Sequence, residues 1–95
     1  MKLTSPQNRL LTEMEDRKPT GQIFDVLLGG AYGTSSQIKN STRLSNSQTD
    51  RAIKQMVKNH VLFYAHNMRG QTVYSLDKPD VLRRKLREDE EDLGE

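Results

Sequence analysis

Between Asn46 and Lys58 the chain concentrates hydrogen-bonding and cationic side chains: Asn46, Ser47, Gln48, Arg51, Lys54, Gln55 and Lys58. Arg51, Lys54 and Lys58 recur at intervals of three and four, which on a helix places them on one face. The amides and the hydroxyl donate and accept hydrogen bonds, and the cations attract anions. A solvated helix face has a similar make-up, so the wider charge pattern matters. The net charge of the 95-residue chain is only +2. From Thr34 to Leu76, however, six Lys/Arg stand against one acid, Asp50. Before Thr34 the count is four against four, and after Leu76 it is five against eight. The positive balance therefore sits in the middle segment, as the footprint for a polyanion does.

Other chemistry finds little footing. His60 and His66 are the two histidines, six residues apart, with Asp50 the nearest carboxylate in sequence. That is neither a metal-ligand set nor a base–nucleophile pair. Gly29-Gly30-x-x-Gly33 lacks a following Lys-Ser/Thr and is no phosphate-binding loop. The chain has no cysteine, which rules out disulfides and thiolate metal sites. The acids from Glu88 to Asp92 read as a solvated tail. No catalysis, metal, cofactor or small-molecule ligand is expected. Apolar runs are far too short for a membrane span, and Met1 to Leu11 lacks the apolar stretch of a signal peptide. The expected setting is cytoplasmic, and nucleoid-associated in a prokaryote. The length suits one domain, and 33% apolar residues make only a small core.

Capping and periodicity set out the elements. Ser5-Pro6 reads as an N-cap followed by proline at the first helical position. Leu10, Leu11 and Met14 give that helix an apolar stripe, and Pro19 ends it near Arg17. Thr20 is the candidate cap of a second helix. Ile23, Phe24, Leu27 and Leu28 form its buried face, and Gly29-Gly30 stops it. Thr34 and Gln37 form a capping box for a short third helix reaching about Thr42, with Ile38 inward. Ser45 and Gln48 form another for a longer helix from Asn46 to about Asn59. Its inward positions are Thr49, Ala52, Ile53, Met56 and Val57. Val61-Leu62-Phe63-Tyr64 and Thr72-Val73-Tyr74-Ser75-Leu76 read as strands joined by the turn Asn67-Met68-Arg69-Gly70. Pro79 opens a last helix with Leu82 and Leu86 on one face and Leu93 near it. Arg83, Arg84, Lys85 and Arg87 precede the acids there, an order opposed to the helix dipole, so the end is expected to fray.

In this order of elements the chain resembles the winged helix-turn-helix family of DNA-binding proteins from Thr20 to Leu76. Thr34-Ser35-Ser36-Gln37-Ile38 resembles the start of the positioning helix. Leu44-Ser45-Asn46-Ser47-Gln48-Thr49 resembles the turn and the start of the recognition helix, and Arg51-Ala52-Ile53-Lys54-Gln55-Met56 its body. The two strands, with Arg69-Gly70-Gln71 between them, resemble the wing. Three positions depart from the family pattern. Lys39 and Arg43 replace a small residue and a turn glycine, and Asn59-His60 replaces a glycine after the recognition helix.

The resemblance implies an α+β fold, mainly α, with a three-helix core, a β-hairpin wing and flanking terminal helices. The divisions are an N-terminal helix at 1–19, the winged domain at 20–76 and a C-terminal helix with an acidic tail at 77–95. It also implies sequence-specific binding of double-stranded DNA by a small, repressor-like transcriptional regulator. The 46–59 helix would enter the major groove, where Gln pairs with adenine and Arg with guanine. Lys54 and Lys58 would meet phosphates. Ser35, Ser36 and Gln55 would lie on the same surface, and Arg69 and Gln71 would contact backbone or minor groove from the wing. A homodimer on two half-sites is expected, through Leu10, Leu11 and Met14 at one end and Val81, Leu82 and Leu86 at the other. Other readings are a winged-helix adaptor for proteins, or an architectural, replication or partition protein on DNA.

Overall fold

Three helices begin with the same device, a Thr or Ser followed three residues later by Gln. Thr4, Thr34 and Ser45 accept from the amides of Gln7, Gln37 and Gln48 at 3.3, 3.2 and 3.2 Å. Each Gln Oε1 accepts in return from the cap residue's own amide, at 3.0, 2.9 and 3.0 Å. These reciprocal bonds satisfy amides that a helix start leaves free. Two of the boxes agree with the expectation. The first lies one residue earlier, because Gln7 stands three residues after Thr4 and not after Ser5.

The computed structural model describes residues 2–93. Helix α1 covers Ser5–Asn8 and α2 Leu10–Glu15. Helix α3 covers Pro19–Leu27, strand β1 Tyr32–Gly33, α4 Ser35–Asn40 and α5 Asn46–Lys58. Strands β2 (Phe63–His66) and β3 (Thr72–Ser75) and helix α6 (Pro79–Leu93) complete an α+β domain. The sheet is antiparallel in the order β1-β3-β2, with Tyr64 opposite Tyr74 and Tyr32 opposite Ser75.

Several boundaries differ from expectation for local reasons. Lys18, not Thr20, is the N-cap residue of α3, because Pro19 takes the first helical position. Thr20 lies inside the helix and donates its hydroxyl to Glu13 at 2.8 Å. Gly21 lies where α3 meets α2, and a Cβ there would sit 2.2 Å from the Glu13 carbonyl oxygen. Val61 and Leu62 do not begin β2. Their amides bond the Met56 carbonyl at 2.9 and 3.2 Å, closing the end of α5, and both side chains enter the helical core. Arg43 keeps a negative φ, and the positive angle after α5 falls on His60 at 60° instead of Asn59. Thr42 closes the α4–α5 turn by donating to the Lys39 carbonyl at 3.0 Å, with Leu44 buried beneath it.

Both faces of the sheet are covered. On one side Tyr74 and Leu76 join the core built from Ile23, Phe24, Leu27, Ile38, Ile53 and Met56. On the other, Ala65 and Val73 pack against Leu82 and Leu86 of α6. Leu82 and Leu86 are therefore interior residues of the chain itself, and Leu10 is buried in the main core. A second copy cannot rest on these three without displacing their own neighbours. Of the expected dimer residues Leu11 and Val81 stay exposed, and Met14 is half-buried against the core. Helix α6 runs to Leu93, and Leu82 and Leu86 anchor its apolar face on the sheet. The side chains of residues 91–93, Leu93 included, and residues 1, 94 and 95 lie outside the described part.

The N-terminal segment is tied down by one buried side chain. Gln7 is 1% exposed, and its Nε2 donates to the carbonyls of Val61 at 3.0 Å and Leu76 at 2.7 Å. One glutamine thus closes the start of the chain onto the ends of α5 and β3.

Candidate nucleic-acid interface

Helix α5 buries Thr49, Ala52, Ile53 and Met56. At 3.6 residues per turn the opposite face centres on Ser47, Arg51, Lys54 and Lys58, a line about 16 Å long at 1.5 Å rise per residue. All four are exposed. Asn46, Gln48 and Gln55 are exposed too but flank this line. Gln48 is partly committed, since its Oε1 already accepts from the Ser45 amide at 3.0 Å. It retains its two Nε2 donors and one Oε1 lone pair, so the two-bond pairing with adenine expected of it would share Oε1 with the cap. Lys58 also stands in the last turn of α5, where a cation complements the helix dipole.

Beside the line runs a groove of about 430 Å³ between α5 and the hairpin, lined by Ile53, Lys54, Val57, Lys58, Tyr64, Thr72 and Tyr74. Tyr64 is 49% exposed and meets Tyr74 at a ring-centroid distance of 6.4 Å. Burial raises the Tyr74 hydroxyl above the ordinary phenol range, with further contributions from the charge of Asp50 and from Tyr64. The groove thus carries two lysines and an open aromatic face, with Asp50 as the neighbouring anion. Tyr64 was not among the expected site residues. Its exposure follows from pairing with Tyr74 on the sheet face toward α5, where the helix covers Tyr74 more completely. Alternation along a four-residue strand does not reveal that difference.

The hairpin tip is a self-contained turn. Asn67 Oδ1 accepts from the amides of Arg69 and Gln71 at 3.0 and 2.9 Å, and Gly70 holds φ at 76°. The Gln71 side chain accepts from Asn67 Nδ2 at 3.0 Å, while the Arg69 side chain is exposed. Across a cleft from the tip lie Thr34 and Gln37 at the start of α4, and Asp89 and Glu90 of α6. Ser35 and Ser36, in the first turn of α4, are half-buried and exposed respectively. Tyr32 donates its hydroxyl to Asp89, and the Met68 amide donates to Glu90 at 2.8 Å. The bond to Asp89, then burial, then the charges of Asp89 and Glu90 push the Tyr32 hydroxyl up to about 12.

The expected residues thus form two groups, a basic line on α5 and a polar tip whose one charge is Arg69, with the hairpin strands between them. His60 and His66 lie apart from this line, one after α5 and one at the end of β2. Among the described residues no cluster of three or more His, Asp or Glu is arranged to hold a metal ion, and no helix is long and apolar enough to cross a membrane. Comparison with family models, curated proteins and solved structures finds no match to this chain.

Proposed function

We propose that the chain is a winged helix-turn-helix protein that binds double-stranded DNA, with α5 in the major groove and the hairpin as the wing. The observation that carries this reading is the exposed line of Ser47, Arg51, Lys54 and Lys58 along the outer face of α5. It matches what groove binding asks of a helix: cations for phosphates and short polar groups for base edges. The succession α3, α4, α5 and hairpin supports the same reading, with β1 adding a third strand. Arg51 is assigned to bases and Lys54 and Lys58 to phosphates, as befits a small repressor-like regulator.

Selection of bound sites from a random duplex pool tests the proposal. Recovery of a defined motif supports it, and a palindromic motif adds a homodimer drawing on the exposed Leu11 and Val81. Affinity must also fall steeply as salt rises. Absence of duplex binding even at low salt refutes the reading and leaves the protein-adaptor role in its place.

A further inference from the structure

We propose that the end of α6 is an intramolecular clasp that occupies the hairpin tip and competes with DNA for it. The inference rests on the DNA-binding reading above. Two carboxylates from adjacent residues reach two separate elements. Asp89 accepts from the hydroxyl of Tyr32 in β1, and Glu90 accepts from the Met68 amide at 2.8 Å, immediately before Arg69. A carboxylate on a turn amide makes the contact that a phosphate oxygen makes when a wing meets the DNA backbone. The Tyr32 hydroxyl, pushed up to about 12, stays a donor throughout the neutral range.

Charge makes the contact competitive. Among the described residues the one ion pair is Lys85–Asp77, and Asp89 and Glu90 line the same cleft as Arg69. Arg83 and Arg87 line a second groove with His66, Asn67 and Met68, and Glu90 lines that groove as well as the cleft. DNA that engages Arg69 from the cleft side must displace the acidic end of α6. Release is cheap by design of the helix. Acids in its last turns oppose the dipole, and the buried anchors Leu82 and Leu86 lie before Asp89. The clasp can open while the helix stays on the sheet.

The test compares wild type with the double variant Asp89→Ala, Glu90→Ala, which removes both acceptors, using anisotropy on a labelled random-sequence duplex across a salt series. Opening the clasp adds one phosphate contact, from Arg69. That contact steepens the log–log salt slope by about 0.9 and is worth roughly eightfold in affinity at about 0.1 M salt. Adding Arg69→Ala to the double variant should erase the gain. Glu88→Gln, which removes a neighbouring charge that makes neither contact, should leave the slope unchanged. The Met68 amide should exchange its hydrogen faster in the double variant without DNA.

Unchanged affinity in the double variant overturns the proposal. So does a gain that survives Arg69→Ala, because it then reflects charge alone. Duplex binding absent from both proteins at low salt removes the DNA reading and the competition with it. Met68 exchange then still reports whether the contact itself exists. Binding by the double variant alone supports both.

Discussion

Replacing Gln7 with leucine should remove a large part of this domain's stability. Gln7 Nε2 bridges the Val61 and Leu76 carbonyls, 54 and 69 residues away, from a site that is 1% exposed. Leucine has no donor, so two buried acceptors lose a partner at about 1–3 kcal/mol each. The Thr4 amide also loses Oε1, but it lies nearer the surface and can turn to water. Leucine recovers some transfer energy because the site is buried. The net loss expected is about 2–4 kcal/mol, against a total of roughly 5–15 kcal/mol for a domain. For a chain of this length that lowers Tm by about 8–30 °C. Urea titration followed by far-UV circular dichroism measures the loss, and Gln7→Glu should cost at least as much, since it sets a negative charge against two carbonyls. A Gln7→Leu protein within about 0.5 kcal/mol of wild type would refute the bridge.

Gly21→Ala should destabilise by about 1–3 kcal/mol despite alanine's better helix propensity, because its Cβ meets Glu13 backbone at 2.2 Å; thermal unfolding gives the sign. His60→Gly should raise stability by up to about 1 kcal/mol by relieving a left-handed conformation, and an unchanged or lower Tm contradicts the strain. Tyr32 holds its proton to about 12 when folded but to about 10 when unfolded. Its contribution to stability is thus full below pH of about 10 and lost as pH rises toward about 12. Absorbance titration should show the Asp89→Asn protein ionising Tyr32 at lower pH. On DNA, Arg51→Ala should cost roughly 1–3 kcal/mol on the preferred site and relax sequence choice, whereas Lys58→Ala should weaken all sequences alike and flatten the salt slope. Identical behaviour of the two variants would contradict the division of roles.

Features written in neighbouring residues were legible in the sequence. The boxes at Thr34 and Ser45, the glycine stop after α3, the tip at Asn67–Gly70 and the start of α6 each depend on a few adjacent side chains. What depended on distant backbone was not. Strand β1 has two residues, too few for any period, and exists because β3 offers it a ladder. The reach of Gln7 is equally silent, since its acceptors are main-chain carbonyls that no residue type announces. Leu82 and Leu86 show a third limit. An apolar pair at helical spacing looks the same whether its cover is a second copy or the chain's own sheet. For the candidate site, the line on α5 was legible from spacing, but the commitment of Gln48 to its cap and the openness of Tyr64 belong to the packed molecule.

The two-sided cover of the sheet has a mechanical consequence. With α5 and the core against one face and α6 against the other, the hairpin is held like a fin clamped at its root. Bending it at the root would expose Tyr74 and Leu76 on one face and Ala65 and Val73 on the other. A surface that meets this fin gains a contact whose ordering was completed during folding, and little entropy is lost on association. The same stiffness restricts choice. A partner whose contour does not fit must deform, because the protein will not.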